Sequence, residues 1–558
     1  VPLEGIIAGL SRARTFDNAL THADRSTDFS LIEGLRAPLL AGLIGTRVAK
    51  QGTAQALLAI VSTGRESESL RAALACYLPG TEIIEFPAWE TLPHERLSPS
   101  AETVGKRLTA IRRLAQWDAN RTGNIVIVAS VRAALQPLAD NLAATEPVTL
   151  TAGARGYDLP VLARELVDLA YARVDMVTRR GEFAIRGGIL DVFAPTAEHP
   201  VRAEFFGDEL EQIRPFSVSD QRSLTETVAS VELAPSRELL LSPAVRQRAR
   251  EMLHEFPSLS TMLAKIAEGI PVDGMESLAP ALLDRLVPLT HYLPADAAIA
   301  VISPEKVATR AVSLAETNAE FLGAAWNAAT AGAEAPIDLD AGDFVTLNAL
   351  RDSAGGRPWW TLSSFDSGAG EVAGAAAGGV SGGEPAGEQF ESSTAEIIDG
   401  DFYVRVQATA VPSFAGQVEG AVGHVGELLR AGWSVAVVAQ GNGLVERAVD
   451  VLAEHELAGR VAEAFPPDPE SGVAYVLRAS VEHGFELPDI KLAVISETEF
   501  YGRSAGYDAR QVKKLASRRK NVVDPLQLKT GDHVVHQTHG IGRFVELVQR
   551  EVSSGGRN

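Results

Sequence analysis

The 558-residue sequence predicts a multidomain α/β protein, and three observations carry that prediction. Short apolar runs such as Ala56–Ser62 and Asn124–Ser130 recur between stretches of helical periodicity, as in a mostly parallel sheet. From Arg179 to Phe216 the pattern changes to alternating apolar and charged residues about Gly187-Gly188 and Pro195, which marks an antiparallel sheet with one solvated face. From Ser367 to Ser393 almost nothing is large enough to bury, so this stretch cannot repay the entropy of ordering and reads as a flexible linker. A chain of this length supports three or four separate cores more readily than one.

Taken in order, strands are expected at Ala56–Ser62, Glu82–Phe86 and Asn124–Ser130 in a first α/β region. Pro160–Tyr171 has the apolar spacing of an amphipathic helix and leads into the alternating strands, a β-rich insertion that ends near Thr225–Leu233. The α/β pattern then resumes, with helices at Ala244–Phe256 and Ser258–Glu268 and a strand at Ala298–Ile302. Beyond the linker, helix Gln417–Arg430, strand Ser434–Ala439, helix Leu444–His455 and strand Lys491–Ser496 make a further α/β unit. A last unit begins near Leu526, with strands His533–His536 and Arg543–Leu547 about the turn His539-Gly540. Its small barrel would stop short of closure at Asn558, as in a truncated chain.

Composition narrows the function. The hydrophobic fraction of 46% and charged fraction of 22% are those of an ordinary globular protein. Ala37–Ile44 is the nearest approach to a membrane span and is far too short, and a signal peptide's basic start and cleavage site are missing, so no membrane association is expected. A single cysteine, Cys76, excludes an intrachain disulfide and fits a reducing cytoplasm. The net charge of −21 argues against a body that grips nucleic acid and favours protein partners. Arg510, Lys513, Lys514, Arg518, Arg519 and Lys520 form a local exception, read either as a solvated linker or as an electrostatic contact to nucleic acid.

Catalytic motifs are thin. No G-x-x-x-x-G-K-[ST] loop occurs to cradle phosphates. Gln440-Gly441-Asn442-Gly443 sits between a strand and a helix but lacks a third glycine and a basic anchor, so it reads as a strand-ending turn. Glu497 and Glu499 follow an apolar strand as magnesium-organising acids do, yet without a phosphate loop they read as strand-end surface carboxylates. His533, His536 and His539 lie close in sequence, but His536 should face away from His533 on a strand, so no metal centre is expected. Glu90, His94 and Glu95 are held among Pro87, Pro93 and Pro99, which make a rigid connection.

Four strings carry a family resemblance: the alternating stretch Arg179–Phe216, FPAWETLPHERLSPSAETVGKRL at Phe86–Leu108, VDGMESLAP at Val272–Pro280 and GDHVVHQTHGIGRFVEL at Gly531–Leu547. They resemble the UvrB-type damage-recognition proteins and, more closely, the Mfd family of transcription-repair coupling factors. The Ala- and Gly-heavy composition suggests a GC-rich actinobacterial source. The resemblance implies a UvrB-like α/β domain at 1–148 and 231–364, interrupted by a small α+β UvrA-binding domain at 149–230. It further implies a linker at 365–394, a degenerate α/β domain at 395–505, a basic linker at 506–525 and an incomplete Tudor/CarD-like β-barrel at 526–558.

Site residues follow from the same resemblance. Arg186 in AIRGG and the Arg202/Glu204 pair of VRAEFF match residues that contact UvrA, with Arg173 and Phe193 as further members of the set. The pair also admits a reading as a surface cross-strand salt bridge, and Phe193 one as core. Ala184 stands where relatives often carry another arginine. Docking on the RNA polymerase β subunit through a strand edge would use Arg543, Phe544, Val545, Glu546, Leu547 and Arg550, although Phe544 and Leu547 also suit ordinary barrel packing. Gly34-Leu35-Arg36-Ala37 takes the place of a working motor's phosphate loop. The resemblance therefore implies no catalysis and no cofactor here, since ATP, magnesium and most DNA contact belong to a translocase further along such proteins. The expected role is recruitment of UvrA to stalled RNA polymerase in nucleotide excision repair, through a face that the missing C-terminal region would otherwise mask. A UvrB-like helicase with a cryptic ATP site and a CarD-like regulator are the alternatives.

Overall fold

The computed structural model describes residues 3–253, 256–330, 344–365, 401–414, 417–502, 533–536 and 540–543. These fall in two units, Val1–Ser504 and Ala505–Asn558. The larger is built on a seven-stranded parallel sheet in the order Phe402–Arg405, Thr27–Ser30, Trp359–Ser363, Ala298–Ile302, Ala56–Val61, Ile125–Ser130, Glu82–Phe86. Its central strands are apolar but for Ser130 because both faces are covered, as parallel sheets require. Strand alternation sorts them between two cores. Leu57, Ala59 and Val61 face one, and Ala56, Leu58 and Ile60 the other.

The first of these cores continues without a break into a second sheet, ordered Gly459–Ala462, Ala474–Arg478, Ser434–Ala439, Leu492–Ile495, Phe485–Leu487. Ala436, Val438, Tyr475, Leu477 and Val494 belong to that shared core, whereas Val435, Val437, Val476 and Ile495 face a separate one. Close backbone approaches set the two sheets together. A Cβ on Gly5 would lie 2.0 Å from the Phe465 carbonyl oxygen, and one on Gly34 would lie 2.2 Å from that of Gly484. Phe402–Arg405 lies beyond the Gly/Ala-rich stretch in sequence yet pairs in parallel with Thr27–Ser30, so the first sheet draws strands from both sides of that stretch.

Val148–Thr151 and Ser230–Leu233 pair antiparallel and form the stem of the insertion. Between them a five-stranded sheet runs in the order Glu209–Pro215, Val201–Phe206, Ile189–Val192, Glu182–Arg186, Ala172–Arg173. The helix Leu159–Asp168 starts where Asp158 accepts from the Val161 amide at 3.0 Å, with Pro160 in its first turn. Its Leu162 and Leu166 pack on Phe183, Leu190, Val192, Val201, Ala203 and Ile213, which covers one face of the sheet. The helix ends three residues before the expected Tyr171, and Ala170 turns the chain with a φ of 62°.

Two of the resembling strings tie the body together beside the stem of the insertion. Arg107 is fully buried, donates to Glu238 and to the Pro87 carbonyl, and lies 4.5 Å from the centre of the Phe86 ring. Trp89 donates to the same Glu238 at 3.0 Å. Glu276 takes bonds from Ser98 and Arg237, and buried His94 meets Asn318 at 3.2 Å. These polar groups of Phe86–Leu108 and Val272–Pro280 are engaged in holding elements together.

In the second unit, His533–His536 pairs antiparallel with Gly540–Arg543. The second strand thus begins at Gly540, before the expected Arg543. Phe544, Val545, Glu546, Leu547 and Arg550 lie outside the described residues, as do His539, the basic run 510–520 and residues 366–400. Among the described residues no helix is long and apolar enough to cross a membrane.

Candidate protein-interaction site

The face of the insertion sheet opposite its helix is covered only in part. Val177, Ala184, Phe193 and Phe216 form a small second core there, and beyond it the strands are open to solvent. Strand register determines which side chains stand together. One cross-strand row holds Ala184, Asp191, Arg202 and Arg214, and the next holds Arg186, Ile189, Glu204 and Gln212.

Arg202 is engaged within the fold. Its guanidinium grips both carboxylate oxygens of Asp191, at 2.7 and 2.9 Å, and lies 5.0 Å from the centre of the Phe216 ring. The ion pair sequence reasoning allows for Arg202 is thus made with Asp191, and Glu204 instead accepts from the Gln212 amide at 2.7 Å. Arg186 bonds the Asp175 carbonyl oxygen, so Arg186 and Glu204 are opposite charges in one row, each held by a neutral partner.

The remaining two expected residues are placed differently. Phe193 is buried in the small second core, with the Arg180 guanidinium 5.0 Å from its ring centre. Arg173 is exposed, but its register with Phe183 puts it on the helix side, in a cleft with Leu159, Ala163, Arg164 and Ile185. The structure therefore brings together Arg186, Arg202 and Glu204, buries Phe193 in the small core of that same face, and places Arg173 on the helix side. Sequence reasoning missed Ile189, 37% exposed, and Phe206, 77% exposed, on the same open face. The doubled Phe205-Phe206 was the available signal, because a strand sends successive side chains to opposite faces.

Where nucleotide chemistry would be sought, polar groups of the chain engage one another, and beside Glu33, Gly34 and Arg36 they line an open cavity of about 160 Å³. Glu33 stands at the end of the first sheet beside Arg36 at 3.1 Å, His483 at 3.3 Å and Lys306 at 3.4 Å. Burial pushes its carboxyl up, but Arg36, His483 and Lys306 outweigh that and hold it below its ordinary value. Glu497 and Glu499 are not the surface carboxylates expected. Glu497 is buried and accepts from the Gln440 amide at 2.9 Å, which occupies the Gln440–Gly443 turn. Glu499 closes a capping box with Ser496 and takes the Gly484 amide at 2.7 Å.

Comparison with known proteins bears on this face. Residues 148–239 match the family model described as the UvrB interaction domain, and residues 528–558 match that described as the CarD-like/TRCF RID domain. The whole chain is 41% identical to the transcription-repair-coupling factor of Mycobacterium bovis, of which it covers 43%. It is 25% identical to that of Bacillus subtilis over 96% of the chain and 44% of the relative, and 29% identical to that of Myxococcus xanthus over 90% and 41%. The chain is homologous to these coupling factors along its length and spans less than half of theirs.

Proposed function

We propose that this homologue of the transcription-repair-coupling factors acts as an adaptor in nucleotide excision repair, recruiting UvrA through its insertion sheet and RNA polymerase through its last unit. The observation that carries the reading is the match of residues 148–239 to a UvrB interaction domain, on a sheet whose open face sets Arg186 and Glu204 in one row. Fixed, opposite charges on stiff strands suit recognition of a complementary protein surface. The polymerase contact rests on the match at 528–558, and a strand edge there would meet the β subunit by β-augmentation.

The chain contributes no ATP turnover in this reading. It has no phosphate loop, and Glu33 with its three basic neighbours occupies the end of the first sheet. ATP, magnesium and DNA translocation are not assigned to these residues in this reading, and the net charge of −21 accords with a body that works through protein contacts.

Calorimetric titration of purified UvrA into the chain tests the adaptor role. Saturable binding that the double charge reversal Arg186→Glu, Glu204→Lys weakens tenfold or more is expected. No binding by the unaltered chain would remove the adaptor reading. A steady-state ATPase assay with and without duplex DNA is expected to give only background, and turnover would restore the helicase alternative.

A further inference from the structure

Phe205 and Phe206 are neighbours with opposite fates. Phe205 turns towards the helix side, where its ring meets Tyr157 edge-on at 5.6 Å and joins the main core of the insertion. Phe206 turns outwards and is 77% exposed, the largest exposure among the big apolar side chains of the described residues. Packing within the insertion gives no reason for a phenyl ring at this position. The register places Phe206 one step along the strand from Glu204 and diagonal to Ile189, itself 37% exposed. Two glycine turns keep this end of the face low. Gly207 takes a φ of +65° directly after Phe206, and a Cβ on Gly188 would lie 2.6 Å from the Phe205 carbonyl oxygen. The result is an apolar pair, Phe206 and Ile189, flanked by Arg186, bonded to the Asp175 carbonyl, and by Glu204, which accepts from Gln212 and lies in the field of Arg202.

We propose that Phe206 is the anchor of this face, its ring entering an apolar pocket of the recruited repair protein while Ile189 seals the pocket's edge. The charges set the chemistry of that pocket. It carries an acidic group on the Arg186 side and a basic group on the Glu204 side, since a charge left unpaired on burial would oppose binding. A single aromatic surrounded by polar residues is the arrangement in which one side chain dominates an interface, because the surrounding contacts exclude water from it. Arg202, held by Asp191, keeps the strands in register beneath the anchor and takes no direct part.

This inference rests on the adaptor reading, and the two fail differently. Chains carrying Phe206→Ala, or Val161→Ala on the helix side, are titrated with purified UvrA beside the unaltered chain, and each is melted by circular dichroism. The expected result is a loss of at least tenfold in affinity for Phe206→Ala with an unchanged melting temperature, and no loss for Val161→Ala. Equal affinity of Phe206→Ala and the unaltered chain overturns the anchor and leaves the adaptor reading standing. An unaltered chain that does not bind UvrA overturns both.

Discussion

Arg186 and Arg202 stand one row apart on the same face, yet substitution of each should be felt in a different measurement. Arg202→Ala leaves the nearly buried Asp191 without its counter-ion, a loss on the order of 2 kcal/mol in chemical denaturation. Arg186→Ala removes only an exposed side chain bonded to a carbonyl, so stability should change by less than about 0.5 kcal/mol while partner affinity falls. Glu33 yields a pH signature. Its folded value lies below the ordinary 4.5, so the stability it confers is full above that value and is lost as pH falls from there through the folded value. Glu33→Gln should remove this part of the acid limb from a plot of melting temperature against pH, and an unchanged limb would show that the three basic neighbours do not act on it. At this scale the sequence was legible only in part. It named the strand and the charges, but the alternation that sends Arg202 onto Asp191 and Phe206 into solvent depends on register, which links residues far apart in the chain.

Elements were easier to read where their burial was uniform. Ala56–Val61 and Ala298–Ile302 are apolar from end to end, Ser434–Ala439 is so after its first residue, and each lies in a sheet with covered faces. Thr27–Ser30, of sequence TDFS, is also wholly buried, but its polar composition hides it. It is stabilised by neighbours on both sides, and Asp28 accepts a bond from Thr361. The joint between the insertion and the body includes one tight helix contact, beside the ion pairs Glu102–Arg180 and Arg112–Glu232. A Cβ at Gly105, in the helix Ala101–Asn120, would stand 2.4 Å from the Pro195 Cβ, and the proline ring cannot swing aside. Gly105→Ala should therefore cost about 1–3 kcal/mol in denaturant unfolding and loosen amide protection around Pro195. A variant as stable as the parent would mean that the joint yields freely.

At the largest scale, the larger unit is governed by the core shared between its two big sheets. Because side chains of both sheets interlock in one apolar layer, neither can lose its packing alone. Strands Ala56–Val61 and Ser434–Ala439 should lose amide protection at the same denaturant concentration, and separate transitions would show two independent domains. Composition pointed the other way, since the Gly/Ala-rich stretch before Phe402 reads as a boundary. Contacts across that stretch, such as Thr27 beside Phe402, have no local mark in the sequence.

The antiparallel stem of the insertion, Val148–Thr151 against Ser230–Leu233, has a consequence for exchange of parts. The chain departs and returns through a single doorway one strand pair wide, so the gap the body must span is the same whatever hangs beyond it. The recognition sheet is in that sense a cassette. Another small domain with the same doorway, and with groups to meet Gly105, Glu102 and Arg112, can be grafted there to redirect the body to a different protein without redesigning either large sheet.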